Sequence, residues 1–249
     1  MPNLSSVRRP ATVFLCAVSA AGLLAACSGG DDESELPLTA LVLPSDALPA
    51  GYTVFPAAVD ELVAANRLTL EQAQSVTFEP AACAPTADAQ FNPMLTEKNT
   101  VLQVAQSDTA TLSELVSTVV RNVDADRRAT TGRCALVTAV PSKGTLAGAR
   151  IVTRSTELPS PAAEAVEQAL LVRSETITTM PDGGIRTRSS LLSNVLVRRP
   201  DGTQITLQLN VGGQDSAVTR EVPDQLTAPM SDEDFTALVD RSVERATRR

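Results

Sequence analysis

The stretch from about 170 to 211 constrains the fold of this chain most. It holds three β-prone runs, at about 170–179, 185–198 and 203–211, joined by Pro181-Asp182-Gly183-Gly184 and Pro200-Asp201-Gly202. In such turns proline presets φ, aspartate caps the bend and glycine accepts positive φ. Consecutive runs therefore fold back as antiparallel neighbours. In the last run Ile205, Leu207, Leu209 and Val211 alternate with Gln204, Thr206, Gln208 and Asn210. That is a strand buried on one face. Its other face is polar but uncharged and is expected to meet solvent or a shallow groove.

A sheet with one apolar face needs a cover. Residues 232–246 supply one: Phe235, Leu238, Val239, Ser242, Val243 and Ala246 form a single helical stripe. Ser231 is the expected N-cap, Asp232, Glu233 and Asp234 follow it, and Arg241, Arg245 and Arg248 gather at the far end, so both ends complement the helix dipole. Hairpins beside helices read as an α+β fold, an antiparallel β-sheet flanked by helices, in a single domain over 37–249.

Other elements are expected upstream. Leu36 to Pro56 is apolar but broken by Pro37, Pro44, Pro49 and Pro56, which suits an extended segment crossing the domain surface. Residues 57–67 read as a helix, and Thr69 with Gln72 as a capping box opening a second, short one. Strands are expected at 75–79, 100–107, 111–121, 135–140 and 148–157, the run 111–121 also fitting a helix by periodicity, with a short helix near 124–131. Ser160-Pro161 reads as a helix start continuing to Gln168.

The N-terminus indicates the compartment. Arg8 and Arg9 precede an uncharged run from Ala11 to Ala26, 16 residues long. A membrane span needs about 20, so the run suits a signal sequence. It ends Leu24-Ala25-Ala26-Cys27, the pattern of a bacterial lipobox, which makes Cys27 the expected lipidation site and residues 1–26 the removed signal peptide. Replacing Cys27 by Ala is expected to abolish incorporation of labelled palmitate; labelling of that variant would contradict the assignment. Residues 27–36, with Ser28 to Glu35 holding four acids and no apolar residue, would form a solvated tether. Removing residues 1–26 takes two arginines and no acid, so the net charge of −8 becomes −10 over 223 residues. Anionic head groups repel such a domain, so attachment to the cell membrane, on its extracytoplasmic face, falls to the lipid anchor. Cys16 leaves with the signal, and Cys83 and Cys134 remain as a pair in an exported domain, where a disulfide is expected. A metal site is the weaker reading, since the chain has no histidine and the pair is two ligands short of a structural zinc centre.

The missing residues exclude much chemistry. Without histidine there is no Ser-His-Asp triad and no histidine-ligated haem. No Trp, one Tyr and a net negative charge argue against nucleic-acid binding, which needs cations and stacking faces. Ser142-Lys143 lack the SxxK spacing and read as an exposed loop. Asp60-Glu61, Asp124 with Asp126, and Asp232 to Asp234 are the carboxylate groupings, and helix-dipole and solubility roles account for them. Asp31 to Glu35 lacks a calcium-loop pattern, and Gly212-Gly213 is not followed by a phosphate-loop motif, so it reads as a strand end. Arg198-Arg199 flank a turn and Arg245 to Arg249 read as a fraying tail, with contact to an acidic partner or a lipid head group as the alternative. No catalytic residue, metal ligand or cofactor site emerges, and the chain is expected not to be an enzyme.

The lipobox residues Leu24 to Cys27, the early Leu43-Pro44-Ser45 and Leu48-Pro49-Ala50-Gly51-Tyr52, Pro80 three before Cys83, Cys134, and the closing amphipathic helix together resemble actinobacterial envelope lipoproteins similar to the PknH-like extracellular sensor domain family. Arginine outnumbers lysine 19 to 2, which suits a GC-rich genome. The resemblance spans roughly 40–247. It implies an antiparallel sheet flanked by helices, with a cleft for an unknown ligand. The kinase sensor carries two disulfides where this chain has cysteines for one, and the sequence shows no kinase, so transmembrane signalling does not carry over. The expected function is a lipid-anchored extracytoplasmic binding module for a small or lipidic ligand; the alternative is a non-catalytic scaffold or inhibitor acting on an envelope protein partner. The sequence names no ligand-binding residue.

Overall fold

A computed structural model describes residues 37–85, 88–224 and 226–248. The expected signal segment 1–26 and tether 27–36, with the lipidation site Cys27, lie outside the described residues. Leu36–Arg249 forms one unit with its own core.

The strands are β1 (Thr53–Phe55), β2 (Val76–Glu79), β3 (Thr100–Gln106), β4 (Ala110–Ser117), β5 (Leu136–Pro141), β6 (Arg150–Leu158), β7 (Val166–Thr179), β8 (Ile185–Arg198) and β9 (Gln204–Gly213). All pair antiparallel in one sheet of order β1-β3-β4-β9-β8-β7-β6-β5-β2. Among the described residues four α-helices flank it: α1 (Val59–Ala73), α2 (Asp88–Phe91), α3 (Val123–Thr130) and α4 (Asp232–Thr247). The fold is α+β, as the hairpin pattern indicates. The Pro-Asp-Gly turns behave as their chemistry requires: Gly183 and Gly202 take φ of +82° and +88°, and Asp182 Oδ1 accepts from the Gly184 amide at 2.9 Å.

Helix α4 packs on one face of the sheet. Its six stripe residues are all buried, against Leu191, Val195, Ile205, Leu207 and Leu209. Ser231 caps it, its Oγ accepting from the Asp234 amide at 3.0 Å. The far end does not fray: α4 runs to Thr247, and Arg245 Nε donates to the Ala40 carbonyl at 2.7 Å.

Three further expectations fail, each for a tertiary reason. The proline-broken segment does not merely cross the surface: Leu41, Leu43 and Leu48 enter the core beside α4. Removing three leucines from water outweighs the irregular backbone that carries them. The capping box at Thr69 does not open a second helix, because α1 is continuous and Thr69 Oγ1 donates inward to the Ala65 carbonyl at 3.0 Å. Residues 161–168 do not form a helix. Val166 already starts β7, where it pairs with Val197, and sheet pairing overrides a local helix signal.

Glu114, on β4, is buried within this core. Its Oε2 accepts the Leu43 amide at 2.8 Å and its Oε1 the Ser242 hydroxyl at 2.6 Å, so one carboxylate ties the leucine segment to α4. Burial raises its pKa, opposed by those two hydrogen bonds and by the charge of Arg245. A carboxyl with a higher pKa folded than unfolded holds its proton more tightly in the folded state. Its stabilising contribution is therefore full below the ordinary carboxylate range and falls as pH rises through the raised folded value. Glu114→Gln removes that titration. The stability of the wild type relative to this variant is expected to decline as pH rises from the usual carboxylate range toward the raised folded value. Urea midpoints across that range check it; a constant difference would contradict it.

Candidate functional site

The opposite face of the sheet is covered only in part. Helix α1 and the segment around α2 pack Val59, Phe91 and Leu95 on Leu115 of β4. Helix α3 packs Val123 on Leu170, Val172 and Leu196. Elsewhere on this face lie the polar residues of β6 to β9, and there a groove of about 610 Å³ opens.

Strand register builds its floor. On β8, Arg186, Arg188 and Ser190 project to this face because side chains alternate across a strand. Thr178 of β7 lies opposite Arg186, Thr176 opposite Arg188, and Ile151 of β6 opposite Thr178. Asn210 of β9 completes the floor, while Thr145 and Leu146 of the β5–β6 loop and Asp215 after β9 form the rim. Among the described residues neither the Arg186 nor the Arg188 guanidinium has a hydrogen bond or ion pair, and both are exposed. Gly212 makes room for the second: a Cβ there would lie 2.7 Å from Arg188 Nη2. Two unpaired guanidinium groups over a hydroxyl-bearing floor form a site for an anion, since each offers donors in a fixed fork.

A second cavity of about 260 Å³ lies beneath α1 on the same face. Leu62 of α1, Leu102 of β3, Leu115 of β4 and Leu192 of β8 give it apolar walls, and Asn66, Asn92, Ser113, Arg121, Gln208 and Asn210 are its polar groups. Asn210 lines both cavities. At the inner edge Arg121 is held by Asp126: Nε donates to Oδ2 at 2.6 Å and Nη2 to Oδ1 at 2.8 Å. Asn194 Nδ2 adds a bond to Asp126 Oδ2 at 3.0 Å, and the guanidinium carbon sits 4.8 Å from the Phe91 ring centroid.

The structure treats the sequence candidates unevenly. Cys83 and Cys134 form a disulfide with Cα atoms 5.5 Å apart. Gln208 and Asn210 do line a groove, whereas Thr206 is fully buried, its Oγ1 donating to the Val119 carbonyl at 2.7 Å. Asp126 is not a surface acid at a helix start but a buried partner of Arg121. Asp60, Glu61 and Asp124 remain exposed, as do Ser142 and Lys143. Asp232 is half-buried and paired with Arg173, whose Nη1 donates to its Oδ2 at 2.7 Å. Arg198 pairs with Glu167, and Arg199 is buried. Gly212-Gly213 do close β9, and Gly212 also accommodates Arg188. Sequence reasoning missed Arg186 and Arg188; the available signal was two arginines at i and i+2 on one face of a strand. Among the described residues no group of three or more Cys, Asp or Glu is placed to hold a metal ion, and no helix is long and apolar enough to cross a membrane.

No protein-family model matches the chain, and no curated protein matches it. A solved structure of an uncharacterised Mycobacterium smegmatis protein, an Rv0999 ortholog, is similar at 15% identity and a TM-score of 0.46, over 85% of this chain and 97% of that one.

Proposed function

We propose that this chain is a lipid-anchored extracytoplasmic binding protein, resembling PknH-type sensor domains, that holds a small anionic ligand on the open sheet face. The observation that carries the reading is the pair Arg186 and Arg188, unpartnered over Thr176, Thr178 and Ser190 in a chain of net charge −8. An acidic protein has no general reason to keep two cations together and unpaired on a sheet. The lipobox pattern ending at Cys27 supports the anchor and the compartment. The polar floor favours the head group of a ligand over an acyl chain lying on it.

Native mass spectrometry of residues 36–249, expressed in an actinobacterial host, tests this. A small-molecule adduct is expected on the wild type and is expected to disappear from Arg186→Ala/Arg188→Ala. Each lost charge-assisted hydrogen bond is worth about 1.5–3 kcal/mol, so the double variant should bind more than a hundredfold more weakly. An adduct of the same mass retained by the double variant would place the ligand elsewhere.

A second reading, a scaffold or inhibitor acting on another envelope protein, draws on β5. Leu136 and Val140 stand on one face of that strand, 52% and 39% exposed. Cross-linking from this strand in the envelope, without a small-molecule adduct, would favour it.

A further inference from the structure

We infer that the ligand is an acylated anion: its acidic head group sits on Arg186 and Arg188, and a short chain runs along β8 into the leucine-walled cavity under α1. This inference rests on the reading of the groove as the ligand site. One strand face carries the whole path. Arg186, Arg188, Ser190 and Leu192 alternate along β8, and at about 3.4 Å per residue Arg188 and Leu192 stand about 14 Å apart. Asn210 lies opposite Leu192 in the ladder and belongs to the walls of both cavities, which makes them neighbours on one track.

The polarity changes along that track. The outer end offers the guanidinium groups of Arg186 and Arg188, unpaired among the described residues, and hydroxyls, with the Asp215 carboxylate at the rim. The inner end adds four leucines, Leu62, Leu102, Leu115 and Leu192, to walls that also carry amides and Arg121. A free inorganic anion would leave the leucine end unused. Among the described residues no Phe, Tyr or Trp lines either cavity, so these walls offer no ring for a sugar or a base to stack on. The inner wall also holds Asn92, 4% exposed, whose Nδ2 has no hydrogen-bond partner. A buried amide donor of this kind calls for an acceptor, which the carbonyl oxygen of an acyl group provides. The volume of about 260 Å³ sets the length: at about the 30 Å³ of a liquid water per heavy atom, it takes about nine atoms.

Calorimetry on residues 36–249, whose core is self-contained, tests the inference with two probes: glycerol 3-phosphate, and 1-octanoyl-glycerol 3-phosphate below its micellar concentration. The octanoyl probe is expected to bind at least tenfold more tightly. Leu192→Asn is expected to erase that advantage while leaving glycerol 3-phosphate binding unchanged, which also shows that the variant folds. Arg188→Ala should weaken both probes tenfold or more. Equal affinity of the wild type for the two probes would overturn the acyl assignment and leave the anion groove standing. Absence of binding of both probes at millimolar concentration would overturn the groove reading as well. Competition by phosphatidylcholine vesicles containing phosphatidic acid would assign the acyl anion to membrane lipid, and undisturbed probe binding in their presence to a soluble molecule.

Discussion

Asp126→Ala is expected to destabilise the domain by about 3–5 kcal/mol, the range for removing one member of a buried ion pair. Asp126 is 5% exposed and Arg121 4%. The variant would leave a buried guanidinium without the carboxylate that receives two of its donors and would deprive Asn194 Nδ2 of its acceptor. The ring of Phe91 offsets little of this, since a cation–π contact contributes about 0.5–2 kcal/mol and is already present. Urea unfolding of both proteins at neutral pH measures the effect, and a loss below about 1 kcal/mol would mean that the site relaxes to admit water. Because Arg121 borders the inner cavity, the same variant should also weaken binding there.

The second large effect concerns Cys83 and Cys134. The bridge joins a turn after β2 to a turn after α3, with 51 residues of sequence separation, and β3, β4 and α3 lie within the loop. In the chain-entropy account a loop of that length constrains the unfolded state by about 4 kcal/mol. The variant Cys83→Ser/Cys134→Ser is expected to lose about that much, and wild type under reductant should approach it. A thiol titre of two on the unreduced folded domain would refute the bridge.

What could be read without the structure follows the range of the interactions involved. The hairpins from about 170 to 211 and helix α4 were legible because turn chemistry, alternation and helical spacing are local. The start of β7 was not, because its first residues are decided by partners on β8 rather than by Ser160-Pro161. Glu114 looks like any acid on a half-buried strand. Its burial depends on Leu43 and Ser242, 71 and 128 residues away. Asp126 looks like a helix-dipole acid until Arg121 turns back onto it. The groove was half legible: the uncharged polar face of β9 pointed to a shallow depression. Arg186 and Arg188 define it because, among the described residues, no carboxylate pairs with them, Asp215 on the rim included, and that is a property of the assembled sheet.

The two margins of the sheet bear on how the molecule behaves at high local density. Strand β1 offers three residues and ends at Pro56; β2 offers four and ends at Pro80. An open sheet grows by adding a neighbour along its exposed margin, and a proline gives such a neighbour no amide to bond. A second copy docking on either margin would find three or four residues of ladder before the chain turns away. Nine strands thus present little template for stacking molecule on molecule. For copies crowded side by side, that favours separate particles over fibres.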